Sequence, residues 1–213
     1  MTPSSFPQPS AAALPGELAE LQRDALREVA NIGCGHAASA LARLTGGKPV
    51  QLSVPRVESV DLSSEAAAIP GLLGGAAGRV LAARLGVEGE LSGSLLLLLP
   101  ARDGEALGRL LMGPRPASAE DTRSALAEMA NILASACLSA IGTLTGWRLL
   151  PTVPRLTEGP AGELVAEVVA GLEGASARVV VLEARFSMPQ VSGQLLLLLE
   201  PRASRELLQR LGV

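Results

Sequence analysis

Apolar residues recur every three to four positions from Leu18 to Leu44, and this spacing predicts a long amphipathic α-helix. Gly46–Gly47 follows the pattern and is expected to end the helix. A second long helix is predicted to run to about Leu144. It is expected to begin at Ser118, which forms a capping-box pattern with Asp121.

One face of the first helix is expected to point into the core. The positions assigned to that face are Leu21, Ala25, Val29, Ile32, His36, Ala40 and Leu44. If these positions are buried, the polar residues on the opposite side remain in water. His36 is then interpreted as a packed helix residue and not as a catalytic one.

Shorter apolar runs, bounded by Gly, Pro and Ser, predict β-strands. The predicted strands are Val50–Val54, Arg79–Leu85, Leu91–Leu99, Arg148–Val153, Glu163–Ala170, Ala177–Phe186 and Val191–Leu199. The first hairpin is expected to turn at Gly86–Gly89, and residues 61–78 are expected to be irregular. Two short helices are predicted, one capped by Asp103 and ending at Met112, the other covering Ser204–Leu211.

Together these elements predict an α+β fold, in which two long equivalent helices pack on a mainly antiparallel sheet. The leucine runs Leu95–Leu99 and Leu195–Leu199 are interpreted as buried strands. Each run is much shorter than the roughly 20 residues that a membrane-spanning helix needs, so no membrane insertion is expected.

A polar motif occurs on both long helices in the same register. Asp24, Glu28 and Asn31 recur as Ser124, Glu128 and Asn131. Positions i, i+4 and i+7 lie on one face of a helix, so each copy forms a row of polar side chains. If the core face is as assigned, both rows face outward.

Small residues continue the two rows along their helices. These positions are Gly35, Ala38, Ser39 and Ala42 on the first helix and Ser135, Leu138, Ser139 and Gly142 on the second. A helix face of this kind can lie close against another protein, so Asp24, Ser124, Gly35 and Ser135 are assigned to partner binding.

The repeat extends beyond the helices. Residues 44–46 match 144–146, residues 54–57 match 153–156, and residues 93–99 match 193–199. This correspondence predicts a duplicated unit with pseudo-two-fold symmetry. The chain is therefore divided into a disordered tail (1–15) and a single domain (16–213) built from two repeats, at about 16–113 and 118–213.

Composition limits the range of functions. The chain has 213 residues, of which 48% are hydrophobic and 1% aromatic, and its formal net charge is -3. A weakly acidic chain with almost no stacking side chains gives no reason to expect nucleic-acid binding. Residues 1–15 do not have the pattern of a signal peptide, and the two cysteines, Cys34 and Cys137, fit buried thiols of a reduced cytoplasmic protein.

The rows carry groups that could act on a bound partner. A carboxylate can pair with a partner's Lys or Arg, and a carboxamide can hold and orient a water molecule. The same residue types are also common on solvated helix faces, so the pattern by itself leaves both interpretations open. The sequence offers no Ser-His-Asp set and no metal-spaced Cys/His cluster.

The paired rows resemble those of the CheC/CheX/FliY family, phosphatases that act on the phosphorylated chemotaxis response regulator CheY. The family helix carries Asp or Ser, then Glu, then Asn, with a proline about two dozen residues later. Here the prolines are Pro55 and Pro154. Two copies in one chain favour CheC over the single-copy CheX. The first copy is one residue longer before its proline, which predicts an insertion in the Gly46–Gly47 turn.

This resemblance implies a mechanism. The substrate would be the aspartyl phosphate of a CheY-like receiver domain, which supplies Mg²⁺ and a phosphate-contacting lysine. Glu28 or Glu128 would pair with that lysine, and Asn31 or Asn131 would align water for in-line attack. The chain would need no cofactor or metal of its own.

Two alternatives follow from the same resemblance. The chain could be a non-catalytic adaptor that binds a CheD-like receptor deamidase or a receiver domain. It could also be a structural relative of the middle domain of the flagellar switch protein FliM, although such relatives lack the Glu/Asn row.

Overall fold

The computed structural model describes residues 18–61, 78–114, 118–172 and 178–213. The helices are α1 (Glu20–Leu44), α2 (Ala101–Met112), α3 (Ala119–Thr145), α4 (Ala161–Ala170) and α5 (Pro201–Leu211). The strands are β1 (Gln51–Leu52), β2 (Arg56–Asp61), β3 (Arg79–Gly89), β4 (Gly93–Pro100), β5 (Leu149–Pro151), β6 (Arg155–Pro160), β7 (Arg178–Met188) and β8 (Val191–Leu199). The predicted N-terminal tail and most of the segment 61–78 lie outside the described residues.

The strands form one antiparallel sheet, which confirms the predicted α+β fold. Its order is β1-β7-β8-β4-β3-β5, with β2 also on β7 and β6 also on β3. The order is symmetric about its centre: exchanging β1, β7 and β8 for β5, β3 and β4 gives the same order in reverse. The leucine strands β4 and β8 pair at the centre, where Leu96 lies opposite Leu196. The duplication as such stays a prediction.

The sheet has a hydrophobic core on each face. The larger core lies between the sheet and α1, α2, α3 and α5, and includes Leu97 and Leu197. The smaller core lies on the opposite face beneath α4, where Val165 and Val168 pack with Leu96. The leucine runs are continuous because alternate side chains enter different cores.

The helices α1 and α3 pack directly against each other over small residues. The buried residues of α1 are Leu26, Val29, Ala30, Gly33, Cys34, Ala37, Ala40 and Leu41. A Cβ atom at Gly33 would lie 2.8 Å from the Cys137 Sγ atom and 3.3 Å from Ile141. Glycine at this position therefore permits the close approach of the two helices.

The core face assigned to α1 from the sequence is correct at Val29 and Ala40, which are buried, and wrong at three of its seven positions. Leu21 is 67% exposed and Leu44 is 36% exposed, and His36 is also exposed. The buried face is built from small residues in the middle of the helix, and hydrophobic size alone does not identify them. On the second helix, Leu138 and Gly142 were expected outside but are buried.

The helix α3 passes the length and hydropathy criteria for a membrane-spanning helix. However, 56% of its most apolar window is buried within the protein. Its apolar character is therefore that of a helix packed in a core.

The segment Glu163–Ala170, predicted as a strand, lies instead in the helix α4. Its valines favour a strand by propensity, but the buried positions Ala161, Val165, Val168 and Val169 have helical spacing. Pro160 precedes the helix and Gly171 follows its last residue. The tertiary packing of this apolar stripe on the sheet outweighs the local preference.

Further boundaries differ from the sequence prediction. Asp103 does not cap α2, which begins at Ala101. Asp103 is 6% exposed, and its carboxylate accepts hydrogen bonds from the Ser192 backbone N–H at 2.8 Å and hydroxyl at 2.7 Å. Strand β3 continues through Gly86, and β2 and β6 were not predicted because their side chains are mostly exposed or charged.

The predicted end of α1 at Leu44 and the predicted start of α3 at Ser118 are confirmed. The Ser118 hydroxyl accepts a hydrogen bond from the Asp121 backbone N–H, and the Asp121 carboxylate accepts two from Ser118. These bonds hold the pKa of Asp121 below its ordinary value. Gly46 and Gly47 both have positive φ in the turn after α1, whereas Gly146 alone does so in the turn after α3. The insertion of one residue in the first turn stays a prediction.

Cys34 and Cys137 are free thiols buried where α1 meets α3. A hydrogen bond with Cys34, together with burial, raises the pKa of the Cys137 thiol well above its ordinary value. The folded protein therefore holds this proton more tightly than the unfolded chain does. The resulting stabilisation is complete below the ordinary thiol pKa and is lost as pH rises above it.

Replacing Gly33 by Ala should destabilise the protein relative to the same change at Gly35. Both changes gain helix propensity, but a Cβ at Gly35 has no atom within 4 Å, whereas one at Gly33 meets Cys137. We expect the difference in the free energy of unfolding to be about 1–3 kcal/mol. Urea denaturation of the two variants measures it, and equal stabilities would contradict the assigned helix contact.

The free energy of unfolding should fall as pH rises from about 8.5 to 10, the range in which an unfolded-state thiol ionises. Tyrosine is absent and lysine occurs once, so few other groups titrate there. Cys137→Ala should flatten this pH dependence in urea denaturation under reducing conditions. A slope identical to that of the unmodified chain would refute the proposed thiol linkage.

Candidate functional site

The two polar rows lie on the outer surface of the long helices. Asp24, Glu28 and Asn31 on α1 are exposed. On α3, Ser124 and Glu128 are exposed, and Asn131 is half-buried. The rows face outward even though the core face assigned to α1 was wrong in part, because the buried residues of α1 also lie on the side opposite the row.

The glutamates and asparagines of the rows are available to a partner. Within the described ranges, no hydrogen bond or ion pair involves the side chains of Glu28, Asn31, Glu128 or Asn131. Asn31 and Asn131 are also the only two asparagines in the whole sequence. Groups of this kind are solvated by water alone and can exchange that water for contacts with another protein.

The first position of each row differs in its surroundings. Arg27 forms an ion pair with Asp24, with both side chains partly exposed, whereas Ala127 occupies the corresponding position of α3. An exposed pair of this kind contributes little to stability, so its effect is on the charge of the surface. Sequence reasoning did not select Arg27, although opposite charges three residues apart signal such a pair.

The start of α3 is fixed against the neighbouring strand. The Arg123 side chain donates to the Leu156 carbonyl oxygen at 3.1 Å and lies 3.6 Å from the Glu158 carboxylate. Ser124 and Pro154 line the same shallow cavity of about 380 Å³. The structure therefore brings together a row residue and the proline that follows it in the sequence. In the first half, Pro55 is buried next to β2.

The small residues assigned to partner binding have space around them. Gly35 and Ser135 are both half-buried, and nothing lies within 4 Å of a Cβ position at Gly35. Each residue follows the row asparagine by one helical turn. Free space therefore lies next to the Asn31 amide, and a globular partner can approach it closely.

The described part of the chain contains no group of three or more His, Cys, Asp or Glu side chains placed to hold a metal ion. The rows therefore offer two kinds of group: carboxylates that can pair with a cation, and amides that can donate and accept hydrogen bonds at once. These groups suit recognition and the positioning of water.

Comparison with known proteins identifies relatives over most of the chain. The CheC-like family matches residues 21–59, which contain the first row. The protein "CheY-P phosphatase CheC" of Bacillus subtilis (strain 168) is 34% identical over 170 residues, covering 77% of this chain and 79% of the relative.

Solved structures share the fold. FliY of Thermotoga maritima has a TM-score of 0.71 at 16% identity, covering 91% of this chain and 96% of that one. The FliM middle domain of H. pylori has a TM-score of 0.60 at 9% identity, covering 91% and 99%. At such identities the likeness concerns the fold alone, and activity has to be inferred from the surface residues.

Proposed function

This chain belongs to the CheC-like family, and from that premise we propose that it hydrolyses the aspartyl phosphate of a CheY-like receiver domain. The B. subtilis relative is named as a phosphatase of phosphorylated CheY. The observation that supports the proposal most is that the Glu and Asn side chains of both outward rows have no hydrogen-bond or ion-pair partner among the described residues. A cytoplasmic location follows from this substrate.

The proposed chemistry requires little from this chain. An acyl phosphate is already activated, and the receiver supplies Mg²⁺ at its own phosphorylation site. The chain contributes no cofactor and no nucleophile. Its task is to place a water molecule in line with the bond that breaks, between the aspartyl oxygen and phosphorus, and to hold the receiver in one orientation.

The asparagines are the proposed catalytic groups. The amide of Asn31 or Asn131 would enter the receiver's site, accept a hydrogen bond from the attacking water and direct its lone pair toward phosphorus. One preorganised hydrogen-bonding group of this kind lowers the activation barrier by about 3–4 kcal/mol, which corresponds to a rate increase of several hundredfold.

The glutamates are proposed to dock the receiver. Glu28 or Glu128 would pair with the lysine that contacts the phosphate in the receiver. Because each carboxylate lies one helical turn before its asparagine, this pair would set the position of the amide. Asp24 and Ser124, with Gly35 and Ser135 further along, would complete the contact surface.

The two rows present different electrostatic surfaces. The first carries Asp24 with Arg27, and the second carries Ser124 with Ala127. A receiver approaching α1 therefore meets an extra cation and an extra anion close to the glutamate. The two sites are accordingly expected to differ in affinity, with the same chemistry at each.

Replacing both asparagines by Ala should abolish most of the phosphatase activity. Each single change should remove part of the activity, since each row forms its own site, and the double change should lower kcat by at least about a hundredfold. Phosphate release from a Mg²⁺-loaded phosphorylated receiver measures this.

Gln209→Ala is the matched control, because it removes an exposed helical carboxamide outside the rows. Unchanged hydrolysis in the double variant would contradict the assigned chemistry. Saturable binding of one receiver per site without turnover would instead support the non-catalytic adaptor. Binding of a CheD-like deamidase stays a prediction.

Replacing Glu28 and Glu128 by Gln should raise KM for the phosphorylated receiver more than it lowers kcat. The change removes a charge-assisted pair while the asparagines remain, and we expect a rise in KM of about tenfold. Steady-state kinetics at two salt concentrations measures it, with Glu163→Gln on α4 as the control. A fall in kcat alone would show that the glutamates act in the chemical step.

A further inference from the structure

A row of side chains crosses the sheet on the face opposite the long helices. Successive strand pairings align six residues, Arg56, Glu183, Leu196, Leu96, Arg84 and Arg155. The two leucines lie at the centre of the sheet. Arg84 and Glu183 therefore occupy equivalent positions in the two halves, and so do Arg155 and Arg56.

In the half of this row that lies on β2 and β7, the positive Arg56 lies opposite the negative Glu183. Glu183 is 2% exposed, and its carboxylate lies 2.7 Å from the Arg185 Nε atom and 3.8 Å from an Arg56 Nη atom. The Gln194 side-chain amide donates to it at 3.4 Å. A buried carboxylate is thus held between two guanidinium groups.

In the other half an arginine replaces that carboxylate. Arg84 lies directly opposite Arg155 on the adjacent strand, and like charges in this arrangement destabilise a sheet. Across the described residues, neither guanidinium forms a hydrogen bond or an ion pair. The position that Glu183 fills in one half has no anionic counterpart in the other.

The two arginines line an open cavity of about 730 Å³. Leu164 supplies partly exposed apolar surface, and Thr157 adds an exposed hydroxyl. The buried residues Ala82, Leu96 and Val168 lie beneath this surface. Cavities of about 300–1,000 Å³ with a few convergent polar groups are typical of small-molecule sites.

Two carboxylates near the arginines equal them in formal charge but do not pair with them. Glu88 and Glu167 also line the cavity, but neither carboxylate pairs with Arg84 or Arg155. An Arg84 Nη atom lies 3.4 Å from the Cβ position of Gly171, at the carboxyl end of α4. A helix carboxyl end favours a cation, which helps to hold Arg84 but does nothing for Arg155.

We propose that this cavity binds a small organic anion, whose phosphate or carboxylate group lies between Arg84 and Arg155 and whose apolar body contacts Leu164. The oxyanion takes the place that the Glu183 carboxylate has in the other half. Guanidinium groups bind such oxyanions through paired hydrogen bonds. The site lies on the opposite sheet face from the polar rows and does not depend on the phosphatase activity.

Titration of the whole chain with inorganic phosphate, AMP, benzoate and adenosine at constant ionic strength tests this site, with binding followed by calorimetry. AMP and benzoate should bind, phosphate should bind more weakly, and adenosine should not bind. The comparison of AMP with benzoate shows which oxyanion the site prefers.

Arg84→Glu should weaken the binding of AMP and benzoate at least tenfold, because its carboxylate would pair with Arg155 as Glu183 pairs with Arg56. Arg205→Glu, which makes the same charge change at an exposed position on α5, should bind as the unmodified chain does. Arg155→Gln provides a second variant at an exposed position, with the same expected loss.

Three results would contradict the proposed anion site. The first is that no anion binds at millimolar concentration. The second is that binding is unchanged in both Arg84→Glu and Arg155→Gln, and the third is that Arg205→Glu loses as much affinity as Arg84→Glu does. None of these measurements uses a receiver. A result against the anion site would therefore not contradict the proposed phosphatase activity.

Discussion

The packing of α1 on α3 is the contact on which the arrangement of the surface depends. Gly33 allows Cys137 and Ile141 to approach its backbone closely, and Ala30, Ala37 and Ala40 continue this buried surface on α1. Successive helical residues are 100° apart, so the choice of buried face determines which side chains project outward. Small residues between the helices thus fix the outward direction of Asn31 and Asn131.

The sheet joins the two chain halves so that neither is complete alone. Strand β2 of the first half pairs with β7 of the second, and β6 of the second pairs with β3 of the first. The long helices lie on this shared sheet and are held in a fixed relation to each other. The solved structures of FliY and of the FliM middle domain share this fold, and the fold alone does not assign a function.

The repeat in the sequence predicted more of the molecule than hydropathy did. It correctly indicated two equivalent long helices with outward polar rows. The leucine runs were correctly predicted as buried strands from their shortness and their flanking Gly and Pro residues. Hydropathy placed Leu21 and Leu44 in the core because large apolar residues were weighted above Ala and Gly, yet the small residues form the helix interface. Glu163–Ala170 was predicted as a strand because valine propensity is local, whereas its helical stripe is selected by the sheet beneath it.

The anion cavity could not be predicted from the sequence because equivalent residues of the two halves are not separated by one constant offset. Leu99 lies opposite Leu81 and Leu199 lies opposite Val180, so β3 and β7 correspond with a shift of one residue relative to the leucine strands. A fixed offset of the repeat aligns Arg84 with Ala184 and hides its equivalence to Glu183. Only the strand register reveals that an arginine replaces a buried carboxylate.

The central claim is that the row amides enter the phosphorylation site of a receiver. Because the chain has two asparagines, their side-chain amide resonances can be followed by NMR as a Mg²⁺-loaded receiver with a stable phosphoryl mimic is added. If the amides enter that site, both resonances should shift when the receiver that carries the phosphoryl mimic is added. They should shift much less when the unmodified receiver is added. Shifts confined to other surfaces, with both asparagine amides unchanged, would contradict it.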